Sequence, residues 1–139
     1  MMRRNMKIHS RQGGFSLVEI MIVIVLIGGI VALVANRVMN SKAQGDYRLA
    51  QVQLDTLAGK VDQFRSDTGR LPDSLEQLVT SPGLQGWLGP YAQAKELVDP
   101  FGTPIEYRRP GSNGPFELVS LGADGAPGGD SFNADIRKP

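Results

Sequence analysis

The 139-residue sequence contains no cysteine and a single histidine, His9. Without thiols it has no disulfide, no thiolate metal site and no sulfur nucleophile, and cysteine usage leaves the redox compartment undecided. The one imidazole sits in the opening basic stretch, so mechanisms that use histidine as base, proton shuttle or metal ligand find no suitable group. An excess of positive charge is missing as well. The formal charge of +1 conceals an uneven distribution: Arg3, Arg4, Lys7 and Arg11 precede Phe15 with no acid among them, whereas all 14 acidic residues follow it. Beyond the leader the balance is therefore acidic, and no basic footprint for nucleic acid is present. The length and the 41% hydrophobic and 21% charged composition are those of one ordinary globular domain, which excludes a multidomain enzyme.

What the sequence does have is a long apolar run. Phe15 to Ala35 reads FSLVEIMIVIVLIGGIVALVA, with Glu19 its only ionisable side chain. As a helix this run reaches ~32 Å, against a hydrocarbon core of ~30 Å. A secretory signal would place a small-residue cleavage site after a shorter apolar stretch. Here the basic stretch ends in Gly13-Gly14 and the apolar run follows, so a cut after Gly14 removes the charged leader and keeps the helix. Positive charge ahead of the span puts the leader in the cytoplasm and the remainder across the membrane. Glu19 has two readings. It lies either at headgroup depth in contact with water, or opposite an α-amino group created at Phe15, one helical turn away and belonging to its own or a neighbouring chain.

The run Gly14-Phe15-Ser16-Leu17-Val18-Glu19, between a short basic leader and a long apolar helix, resembles the signature of the type IV pilin and pseudopilin superfamily, substrates of prepilin peptidase. The resemblance implies cleavage after Gly14, N-methylation of Phe15, and pairing of Glu19 with a neighbouring subunit's amine during assembly.

Past Ala35 the helical pattern turns amphipathic, with Tyr47, Ala50, Leu54, Leu57, Val61 and Phe64 alternately three and four residues apart on one face. No proline interrupts residues 15–67, and Gly69 is a natural stop. One helix of ~75 to 80 Å is expected. Gly28-Gly29 and Gly45 are its weak points, the pair suiting either close helix packing or local loosening on assembly. Asp73 and Glu76 have the spacing of an N-cap and its N3 partner ahead of a short helix. Residues 83–97 read as loop anchored by Trp87 and Tyr91, followed by turn-rich Asp99–Pro104, a strand at Ile105–Arg109, a tight turn and a second strand at Phe116–Leu121. The expected fold is α+β, a long N-terminal helix packed on a small antiparallel sheet. A head of about 100 residues has a modest core, for which a staple would be useful.

The candidate staple is Leu121–Asp135, whose carboxylates, amide, hydroxyl and glycine-rich backbone supply only oxygen donors. Such a set suits Ca²⁺ and disfavours Zn²⁺ and Cu²⁺. The same residue types also compose ordinary exposed loops, and the spacing is not an EF-hand. The turn Asp99–Pro104, the segment Ser120–Gly125, the Gly128-Gly129 pair and Asn133-Ala134-Asp135-Ile136 resemble the major-pseudopilin family of type II secretion systems, and with the leader this likeness spans nearly the whole chain. It implies a pilin-like fold with a structural Ca²⁺ in the C-terminal loop, Asp124 as a side-chain ligand and Leu121 as a carbonyl ligand. The second acidic ligand falls at Asp130 or Ser131, where relatives put the acid one place later. Asp135 is either a further ligand or a loop-fixing cap.

The organisation expected is a leader at 1–14, a membrane and fibre-core helix at 15–35, and a periplasmic head at 36–139. The resemblance implies a non-enzymatic subunit of a homopolymeric pseudopilus that drives folded proteins across the outer membrane. It also implies minor pseudopilins, an inner-membrane platform and prepilin peptidase as partners. The alternatives are a type IV pilus pilin, a minor pseudopilin, a membrane-anchored hydrolase using a pair such as Asp124 and Asp130, and a monomeric periplasmic binding module.

Overall fold

The computed structural model describes residues 13–139. The basic stretch with its four cations and His9 lies almost wholly outside them. The chain divides into two compact units, Met1–Val38 and Met39–Pro139.

A single helix, α1, runs from Leu17 to Thr68, 52 residues. Neither the glycine pair nor Gly45 breaks it. It stops where expected: Gly69 takes a left-handed φ of +77° and its N–H donates to the Arg65 carbonyl at 2.8 Å, the C-terminal closure that a residue without Cβ adopts freely. In the first unit every large apolar side chain from Phe15 to Val38 is exposed, and an 18-residue window averages a hydropathy of 3.0.

The second unit is built on one face of the later part of α1. Ala50, Leu54, Leu57, Ala58, Val61 and Phe64 are buried, and Tyr47 packs on the edge of the cluster. Three short strands, β1 (Glu106–Arg108), β2 (Glu117–Ser120) and β3 (Ile136–Lys138), form an antiparallel sheet in the order β1-β2-β3. Tyr107 lies opposite Leu118, and Ser120 opposite Ile136. Leu118 and Ile136 join the helix stripe together with Ile105, Phe116, Leu75, Leu78 and Ala92. Burying each such Leu or Phe side chain contributes about 1.5–3 kcal/mol against chain entropy.

Polar clasps fix the loops to this core. The Gln53 amide donates to the carbonyls of Glu96 and Val98 at 2.8 and 2.7 Å. Lys60 pairs with Glu96 at 2.5 Å. The Tyr91 hydroxyl donates to Asp67 at 2.8 Å, and the Trp87 indole to the Gln77 carbonyl at 3.0 Å. The Asp99 carboxylate, 4% exposed, accepts from the N–H groups of Phe101 and Thr103 and from the Ser120 hydroxyl at 2.6 Å. Such a buried acid is tolerated because its lone pairs are matched.

Three details differ from expectation. The short helix is a 3-10 turn, Leu75–Leu78, with Ser74 rather than Asp73 at its N-cap and no side-chain cap bond; Asp73 instead pairs with Arg109 at 3.0 Å. The segment read as loop contains a 3-10 turn, Ala94–Leu97, closed by a reciprocal Gln93–Glu96 box. A third strand, β3, exists. All four positions of β2 are buried, and the side chains of Arg108 and Arg137 reach toward Glu117 at 4.0 and 3.9 Å.

Candidate functional site

Two places hold the residues that the sequence singled out. The first is the start of α1. Gly14 and Phe15 precede the helix and are exposed. Ser16 and Glu19 then form a reciprocal pair: the Ser16 N–H donates to Glu19 Oε2 at 2.8 Å, and the Glu19 N–H donates to Ser16 Oγ at 3.2 Å. This is a capping box. It satisfies two donors that a helix start leaves open and puts a negative side chain at the positive end of the macrodipole. Glu19 thus has partners within its own chain, and Ser16, which the sequence reading passed over, is one of them. The Ser-x-x-Glu spacing was the available signal.

The second place is the bend 121–135. Its backbone turns through positive φ at Gly122, Gly125, Gly128 and Gly129, and also at Ser131, the only non-glycine residue in that region among those described, at +53°. At Gly129 a Cβ would stand 2.4 Å from the Asn133 carbonyl oxygen, and at Gly122 one would stand 2.8 Å from the Asn133 carbonyl carbon. The arms of the bend are latched by Ala123 N–H to Phe132 O at 2.8 Å and Asp135 N–H to Gly128 O at 3.2 Å. Asp135 closes it further: Oδ1 accepts from the Gly128 N–H at 3.1 Å and Oδ2 from Arg137 at 3.2 Å. Leu121 is buried. Asp124 Oδ1 accepts from the Ala126 N–H at 3.1 Å. Asp130 stands at the N-cap of a 3-10 turn, Ser131–Asn133, without a side-chain cap bond. The Phe132 ring meets the edge of Tyr47 on α1, centroids 6.5 Å apart.

For a cation the donor set is all oxygen. Asp124 and Asp130 form no ion pair among the described residues, whereas Asp135 is engaged by Arg137. Among the described residues, no three carboxylate or imidazole side chains converge there. In donor chemistry the bend suits a hard, oxygen-seeking ion rather than a nitrogen- or sulfur-seeking metal.

Together, the long exposed apolar helix and the small helix-on-sheet head define a pilin-like structural subunit. Comparison with known proteins specifies it. Residues 9–35 match the prokaryotic N-terminal methylation motif, and residues 37–139 match the family described as type II secretion system (T2SS), protein G. The chain is 54% identical over 127 residues to the type II secretion system core protein G of Xanthomonas campestris pv. campestris, covering 91% of this chain and 89% of the relative. It is 38% identical over 133 residues to that of Pseudomonas aeruginosa, covering 91% and 94%. In fold it is similar to the crystal structure of the major pseudopilin from the type 2 secretion system of enterohaemorrhagic Escherichia coli, with a TM-score of 0.56 and 24% identity, covering 71% of this chain and 90% of that one. The chain belongs to the type II secretion system protein G family, the major pseudopilins, which are structural and non-enzymatic. Family and apolar helix together indicate anchoring in the inner membrane.

Proposed function

We propose that this subunit is cut after Gly14, methylated at Phe15, and polymerised through residues 15–38 into a periplasmic filament, with its head exported to the periplasm. One observation carries the reading. The head closes a core on one face of α1, while every large apolar side chain from Phe15 to Val38 is exposed among the described residues. Such a surface requires lipid or other copies around it. Contacts that repeat from copy to copy without closing give a helical fibre. Glu19 gives up or shares its capping role when a neighbour's terminal amine approaches, so that a charge pair sets the register. The inner-membrane platform, minor pseudopilins and prepilin peptidase are the partners this reading requires.

The 121–135 bend is read as a structural Ca²⁺ site. Its ligands are the Leu121 carbonyl, Asp124, and Asp130 or Ser131, with Asp135 holding the bend closed through Gly128 and Arg137. The ion would supply the compensating charge that two unpaired carboxylates lack. Support comes from the all-oxygen donor set and the left-handed backbone at Ser131.

The assembly reading is tested with Glu19→Gln. Glutamine keeps the capping box but removes the charge. Membrane insertion should stay normal, and filaments counted by electron microscopy in a host carrying the secretion machinery should fall at least about tenfold, as expected for loss of a desolvated pair worth ~1.4 kcal/mol or more. Undiminished filaments would remove the charge pair from the assembly scheme.

A further inference from the structure

We propose that Phe132 couples cation occupancy of the 121–135 bend to α1; the proposal rests on the Ca²⁺ reading above. The bend is a two-armed clip. One arm carries Asp124, and the other carries Asp130 and Phe132. They meet through the Ala123–Phe132 and Gly128–Asp135 hydrogen bonds. Asp124 and Asp130 are like charges with no ion-pair partner among the described residues, so a cation held between the arms draws them together. Phe132 is half-buried, and its ring lies edge-on against Tyr47, centroids 6.5 Å apart at 62°. Tyr47 in turn packs against the head core.

The place of contact matters. Tyr47 is two residues beyond Gly45, where α1 is exposed and has no neighbouring atom within 4 Å of a Cβ position. A glycine inside a helix weakens it by about 0.5–1 kcal/mol relative to alanine. The ring of Phe132 is therefore seated next to a soft turn of α1, in the stretch through which the helix enters the head. Closing the clip presses the ring home and stiffens that turn; opening it withdraws the ring. Arg137 already pairs with both Asp135 and Glu117, which leaves Asp124 and Asp130 as the charges that respond.

The test is hydrogen exchange read by mass spectrometry on the full-length protein in detergent micelles. Wild type, Phe132→Ala and Phe132→Leu are each compared in CaCl₂ and in EDTA. Wild type should show calcium-dependent protection both in the bend and in helix residues 43–50, the latter by about two- to tenfold, the range an aromatic pair supports. Phe132→Ala should keep the calcium response in the bend and lose it at 43–50, with Phe132→Leu intermediate. Should Phe132→Ala also lose protection across residues 54–64, Phe132→Leu alone carries the test by the same criterion. A bend that responds to calcium together with an undiminished response at 43–50 in the variants overturns the coupling and leaves the cation site standing. A wild-type bend that ignores calcium overturns both.

Discussion

The first 38 residues and the remaining hundred use apolar side chains in opposite ways. Phe15 to Val38 is hydrophobic on all sides of the helix and buries none of it. From Tyr47 to Phe64 the same helix gathers most of its apolar residues into one stripe and buries it against sheet and loops, leaving Leu49 and Val52 exposed. Hydrophobic content therefore says little about where a core lies. The angular spread of that content around the helix axis says a good deal, because a continuous apolar surface calls for a surrounding medium whereas a stripe calls for a single partner face.

The contrast is sharpest at Phe64, which is fully buried with its ring 5.7 Å from that of Tyr91. Phe64→Ala should lower the head's unfolding free energy by about 3–5 kcal/mol in a urea titration, and a loss below 1 kcal/mol would mean that the stripe is not what holds the head. A smaller effect is expected from pH. The Glu96 carboxyl is held below its ordinary value near 4.5, first by the Lys60 ammonium and then by the Gln93 N–H. Its stabilising contribution is thus complete above pH ~4.5 and fades as pH falls through the lower folded-state value. Thermal melts should show this acid loss in wild type and a smaller one in Lys60→Met. The smallest effect belongs to the other region: Ile24→Ala should move the head's stability by less than about 0.5 kcal/mol while reducing filament yield, and a shift as large as that of Phe64→Ala would erase the distinction between the two regions.

Much of this was legible in advance. The three-and-four spacing of Ala50, Leu54, Leu57, Val61 and Phe64, the absence of proline, and Gly69 define α1 and its end to within two residues. The alternation at Ile105–Arg109 and the tight turn ahead of Phe116–Leu121 mark β1 and β2. Strand β3 was hidden because Ile136-Arg137-Lys138 is short and charged, and its pairing depends on where the preceding bend delivers the chain. The 3-10 turn at Ala94–Leu97 was hidden by its length, although the Gln93–Glu96 spacing of its box was in view. The Ser16–Glu19 box is written in the sequence as Ser-x-x-Glu, overlaid on a carboxylate whose charge alone already has a reading at the head of an apolar helix. At the bend, the oxygen-rich residues were readable, but the engagement of Asp135 by Arg137 depends on a strand register that composition does not encode.

Gly122 and Gly129 lean on one and the same peptide, that of Asn133. That peptide acts as a keystone, since a methyl group added at either glycine must displace it. Damage from the two positions is thus a single lesion felt twice, and the second change should cost far less than the first. The two glycines thus form a single joint: any change that rebuilds the Asn133 peptide to accommodate a side chain at one of them also lifts the constraint on the other.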